Sequence, residues 1–154
     1  MSVVLDLQIA TQSQEGLPDH REIACWIEAA VGRRVDEGSE VTVRLVDAAE
    51  MAELNLAYRH QAGTTNVLSF PFEAPAEVDL ALLGDIIICR QVVEAEAVAQ
   101  QKSLTAHWAH LVIHGALHLT GYDHLNDKEA EEMETLEIAI LAGLGFANPY
   151  EQSE

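Results

Sequence analysis

The segment HGALHLTGYDH, residues 114–124, constrains this chain more than any other stretch. His114 and His118 are four residues apart, so on a helix their imidazoles stack on one face, one turn from each other. Gly121 supplies the left-handed residue that ends a helix, which lets the chain fold back and carry His124 toward the other two. Three neutral nitrogen donors converging from a helix and the loop after it suit a tetrahedral divalent ion such as zinc, one per chain. The fourth position is left to water, as in a catalytic site. Three histidines also accept nickel, copper or cobalt. His107 and His110 fall on the same helical stripe and are expected to line the groove or to hydrogen-bond behind the ligands.

The same spacing occurs in metzincin proteases, H-E-x-x-H-x-x-G-x-x-H. Their general-base Glu follows the first His, and that position is Gly115 here. Gly115 and Ala116 present a slim helix surface that another segment or a substrate can approach closely. Asp123, next to His124, is a candidate base or hydrogen-bonding partner of the ligands, with a turn-forming role as the alternative.

The rest of the chain alternates strands and helices with no linker, repeat or low-complexity block. Val3 to Ile9 reads as a strand, and Asp19 is placed to cap a helix through Val31 with Ile23, Trp26, Ile27 and Ala30 on one face. Val41 to Val46 alternates as a half-buried strand. Asp47 is expected to cap a second helix whose apolar face is Met51, Leu54, Leu56 and Tyr58. Asn66 to Phe70 reads as a short strand ending at Pro71, and Leu82 to Cys89 as another, paired antiparallel with it. Helices over Gln91 to Gln101, Ser103 to Thr120 and Asp127 to Ala142 follow. At 154 residues this is one domain, spanning 1–154. The pattern predicts an α+β fold: a small mixed sheet of about four strands packed with about five helices, the metal site lying on a helix and the following loop.

Hydrophobic residues make up 49% of the chain, yet no apolar run approaches a membrane span, and no export signal opens it. The expected setting is therefore cytoplasmic, with Cys25 and Cys89 as small core residues in a reducing compartment. Glu129, Glu131, Glu132, Glu134 and Glu137 surround Met133, Leu136, Ile140 and Leu141 on the last helix and read as a solvated face. The net charge of −18 argues against simple electrostatic binding of a polyanion.

Three neutral imidazoles leave the charge of a bound divalent ion uncompensated, so water on it should be acidified toward a pKa of roughly 7, suited to attack on a phosphodiester. A cation is then wanted for charge developing on the phosphate oxygens, and a guanidinium offers a bidentate match. Among only eight Lys and Arg residues, Arg59 begins the loop leading to Thr64, Thr65 and Asn66. It is either that cation or a surface Arg favoured by the helix C-terminus. Arg90 is a second candidate.

Three blocks in this order, LNLAYRHQAGTTNVLSFPF at 54–72, LLGDIIIC at 82–89 and HGALHLTGYDH, make the sequence resemble the YbeY-type endoribonucleases, the rRNA maturation factors. The resemblance covers most of the chain, more weakly over the first 40 residues, and departs at Asn66, where the family often has Asp. It implies a zinc-dependent hydrolase preferring single-stranded RNA, acting in small-subunit ribosomal RNA processing and ribosome quality control. His114, His118 and His124 would hold the metal, and Arg59 would be a functional cation beside the cleft. The expected partners are ribosomal RNA and the small subunit, with no membrane. Two alternatives stand beside it: a non-catalytic, metal-stabilised ribosome-associated factor, and a peptidase-like metallohydrolase with its base supplied from elsewhere.

Overall fold

In the computed structural model, which describes residues 2–72, 82–122 and 125–150, strand β1 (Val3–Ile9) lies parallel to β2 (Ser39–Val46), with helix α1 (His20–Val31) connecting them. Helix α2 (Ala48–Arg59) leads to β3 (Val67–Pro71), which pairs antiparallel with β4 (Leu82–Cys89), as the sequence predicted. Strand β4 in turn runs parallel to β2, giving a four-stranded mixed sheet of order β1-β2-β4-β3. Helices α3 (Arg90–Ala99), α4 (Leu104–Leu119) and α5 (Asp127–Gly143) complete an α+β fold of five helices and one sheet.

The two-residue period of the strands divides the core. Val41, Val43 and Leu45 on β2, with Ile86 and Ile88 on β4, face a large cluster completed by α1, α4, Met133 and Leu141. Val46, Ile87 and Cys89 face the opposite side and meet Met51 of α2. Helix α4 is the axis of the larger cluster. Trp108, Ile113 and Leu117 have 1% exposure or less, so the histidines on this helix are held by a rigid, buried element.

Side-chain caps fix where α1, α4 and α5 begin. Asp19 and Glu22 form a reciprocal capping box on α1. Ser103 Oγ accepts from Ala106 N at 3.1 Å, and Asn126 Oδ1 accepts from Glu129 N at 2.9 Å. Gly121, at φ +101°, ends the histidine helix as expected, and Tyr122 N returns to Leu117 O at 3.2 Å.

Four expectations need correction. Leu56 and Tyr58 are 58% and 64% exposed, and the polar Asn55 is buried in their stead. Asn55 Nδ2 donates to Gly63 O at 3.0 Å, so α2 turns its polar anchor inward to hold the loop after it. Asp47 occupies the N-cap of α2 but makes no side-chain cap. Its carboxylate instead accepts from Gln12 N and Gln91 Nε2, tying two neighbouring segments together. Cys25 is exposed, because it sits on the outer side of α1 between Ile23 and Trp26; Cys89 is buried as expected. Glu137, placed on the solvated face by its acidic neighbours, is fully buried.

Candidate active site

A cleft of about 910 Å³ opens between the C-terminal half of α4, strand β3 and the start of α5. Its walls include Arg59, Phe70, His114, His118, Tyr122 and Tyr150. The structure thus brings together Arg59 and two of the three expected metal ligands, from parts of the chain about 55 residues apart. His124 and Asp123 lie outside the described residues. Among the described residues no group of three His, Cys, Asp or Glu side chains forms a metal cluster.

The two helical histidines present a donor pair. Their Nε2 atoms stand 3.2 Å apart. Two imidazole nitrogens on one tetrahedral ion, each at the usual zinc–nitrogen length, stand about 3.3 Å apart. The tautomer of His114 can be read from what it touches. Its Nδ1 lies 3.1 Å from Glu137 Oε1, and an ionised carboxylate only accepts, so Nδ1 is the donor of this contact, and in the neutral ring that tautomer leaves the lone pair on Nε2. The residues present therefore fit a divalent ion of borderline softness at His114 and His118.

Glu137 is ionised for a local reason. Burial alone would raise its pKa, but hydrogen bonds from His110 and His114 outweigh it and bring the value down to about 2. His110 Nε2 lies 2.8 Å from Oε1, and the Tyr150 hydroxyl donates to both carboxylate oxygens at 3.1 and 3.0 Å. Tyr150 keeps its proton, since desolvation and the charge of Glu137 both raise its pKa.

The remaining histidine of the stripe belongs to a second carboxylate. His107 is 3% exposed and its Nε2 lies 2.9 Å from Glu96 Oε1. Burial lowers its pKa, with the Glu96 hydrogen bond opposing. His107 and His110 are thus each hydrogen-bonded to a carboxylate, and only that of His110 is shared with His114 among the contacts described. Asn66 joins the outer pair, its amide donating to Glu96 at 3.1 Å while its Oδ1 accepts from Val67 N at 2.7 Å.

Arg59 is exposed at the end of α2, where His60 takes the left-handed conformation, φ 56°. No carboxylate among the described residues pairs with it. Arg90 is placed elsewhere. Its guanidinium donates to Ser13 O and Glu15 O at 3.3 and 3.0 Å and pairs with Glu94, so it latches the loop before α1. Gly115 faces the sheet. A Cβ there would lie 2.8 Å from Ile86 Cγ2 and 3.2 Å from Ser69 Oγ, so the close approach is made by β4 and β3, and no protease-type Glu side chain could occupy that position.

An α+β domain with paired helix histidines and an arginine lining one cleft has the parts of a hydrolase for phosphate esters. The chain belongs to the YbeY endoribonuclease family: the sequence model of that family, described as endoribonuclease YbeY, matches residues 8–145. Membership implies an endoribonuclease of ribosomal RNA processing. The chain is also similar to the protein TM1509 from Thermotoga maritima, known from a solution structure. The two are 27% identical over 91% of this chain and 92% of that one, with a TM-score of 0.58.

Sequence reasoning missed Glu137, Tyr150 and Glu96. A signal existed for Glu137, which lies four residues after Met133 and four before Leu141, on the buried stripe of α5.

Proposed function

We propose that this protein is a zinc-dependent endoribonuclease that hydrolyses single-stranded RNA during small-subunit ribosomal RNA maturation and ribosome quality control in the cytoplasm. The observation that carries the reading is the His114–His118 donor pair, 3.2 Å apart, in a cleft whose wall includes Arg59. Family membership supports the RNA substrate. Among the described residues no helix is long and apolar enough to cross a membrane.

His114 and His118 would hold the ion together with His124. Bound there, the ion would supply Lewis acidity toward a phosphate oxygen and acidify water toward a pKa of about 7. The other steps belong to the chain. Arg59 binds the phosphate with its planar fork and stabilises the charge that develops on it. Asp123, beside the third ligand, either takes a proton or orients His124. With −18 net charge the protein lacks a long cationic footprint, so productive engagement relies on the ribosomal particle to present the strand.

The test compares wild type, His114→Ala and Arg59→Ala on single-stranded RNA with zinc content measured in each. Loss of zinc and activity in the first, and of activity alone in the second, is expected. Activity that survives His114→Ala in metal-depleted protein overturns the reading.

A further inference from the structure

Glu137 occupies a position where a leucine would ordinarily serve. It lies on the stripe of Met133 and Leu141, facing α4, with 0% exposure. Placing a charge there has an energetic penalty, and well-packed apolar replacements of buried ion pairs are often neutral or stabilising. A carboxylate kept at such a site therefore has work that packing does not do.

Its contacts say what that work is. The geometry points to Glu137 as a positioning residue for the metal ligand His114: by accepting from Nδ1 it holds the ring in the tautomer and orientation that leave Nε2 turned toward His118. Two further donors keep the carboxylate in place. His110, one turn before His114 on α4, donates to the same Oε1. Tyr150, arriving from beyond α5, donates to both oxygens. Without those two, Glu137 could rotate away from His114; with them, its oxygens are committed. Glu137 is not itself placed as a ligand, since it meets His114 through Nδ1, on the ring edge away from the His118 contact. The arrangement links the C-terminal segment to the site through hydrogen bonds running Tyr150, Glu137, His114. Partners of this kind around a ligating histidine typically change metal affinity 10–100-fold when removed.

The proposal rests on the metal reading above, and its test has an arm that needs no metal. Nitrogen-detected NMR of the histidine side chains in metal-free protein at pH 8 should show His114 of the wild type protonated at Nδ1. Glu137→Gln keeps the shape but can donate as well as accept, so His114 should populate the other tautomer. Zinc affinity, measured by chelator competition, should fall about 10–100-fold in Glu137→Gln. It should fall less in Tyr150→Phe, which retains the Glu137 carboxylate and removes only one of the two donors that hold it, at an exposed residue. Unfolding of the metal-free proteins checks that each variant is native. A purely structural Glu137 would lower stability and leave the tautomer and the zinc affinity alone, and that result overturns the proposal. Unchanged zinc affinity in Tyr150→Phe does the same if Glu137→Gln fails to fold. A wild type that takes up no zinc removes the metal reading and the proposal together, whereas a normal wild type with unaltered variants removes only the proposal.

Discussion

Asn66 and Glu96 face each other across the edge of the cleft, the Asn66 amide donating to the carboxylate at 3.1 Å while His107 holds the same oxygen from the other side. The contact favours Asn at position 66 over the Asp that the family resemblance leads one to expect there. An Asp there would set one carboxylate against another, with His107 neutral in its buried setting.

Asn66→Asp should therefore lower stability by about 1–3 kcal/mol, the usual consequence of replacing a hydrogen bond to a charged group with an unsatisfied contact. Urea unfolding at pH 8 measures it. Combining the change with Glu96→Gln should recover much of the loss, because the amide then donates in the opposite direction. Strict additivity of the two substitutions would show that the residues do not act on each other.

Gly115→Ala sets two effects against each other. Alanine is better than glycine in a helix by about 1 kcal/mol. The new Cβ would lie 2.8 Å from Cγ2 of Ile86, which is fully buried, and overpacking of this kind costs about 1–3 kcal/mol. Steric strain should win, with a lower urea midpoint and weaker zinc binding as α4 is pushed off β4. A stabilised variant would mean that helix and sheet separate freely at this point.

What could be read from the sequence was local and periodic. Asp19, the stripe Ile23, Trp26, Ile27 and Ala30, and the alternation of β2 repeat at intervals fixed by helix and strand geometry, and they stand where expected. The histidine spacing predicted a shared helix face for the same reason. What escaped depended on distant partners. Glu137 looked solvated because Glu131, Glu132 and Glu134 beside it are, and only the arrival of His110, His114 and Tyr150 makes its burial tolerable. Asp47 had the right type and place for a cap, but Gln12 and Gln91 claimed its carboxylate. Gly84 is required by a non-local crossing, where a Cβ would lie 2.2 Å from Phe70 O beside a register shift in the sheet.

His107 carries a pH dependence of known sign. Burial holds its pKa below the ordinary 6.5, so the folded protein resists a proton that the unfolded chain accepts. Above 6.5 both states are neutral there and the full stability is present. As pH falls below that value the unfolded state binds more protons, and stability declines by at most about 1.4 kcal/mol per pH unit for one group. His107→Gln keeps a donor for Glu96 and does not titrate. In chelator, between pH 6.5 and 5, the variant should lose less stability than wild type; a parallel decline in both would refute the assignment.

The charge distribution sets the last expectation. For single-stranded RNA, the logarithm of the binding constant falls with the logarithm of salt concentration by about 0.7 for each phosphate neutralised. With eight Lys and Arg against 26 Asp and Glu, this chain offers few phosphate contacts, and among the described residues Arg59 is the cation on the cleft wall. One or two contacts give a slope of about −0.7 to −1.4. Binding of a fluorescent single-stranded oligonucleotide to metal-loaded protein, titrated from 50 to 200 mM salt, should return a value in that range and weak affinity throughout. Arg59→Ala should flatten the slope by about 0.7 without changing zinc content. A slope near −4, unaffected by Arg59→Ala, would place the RNA on a basic surface other than this cleft.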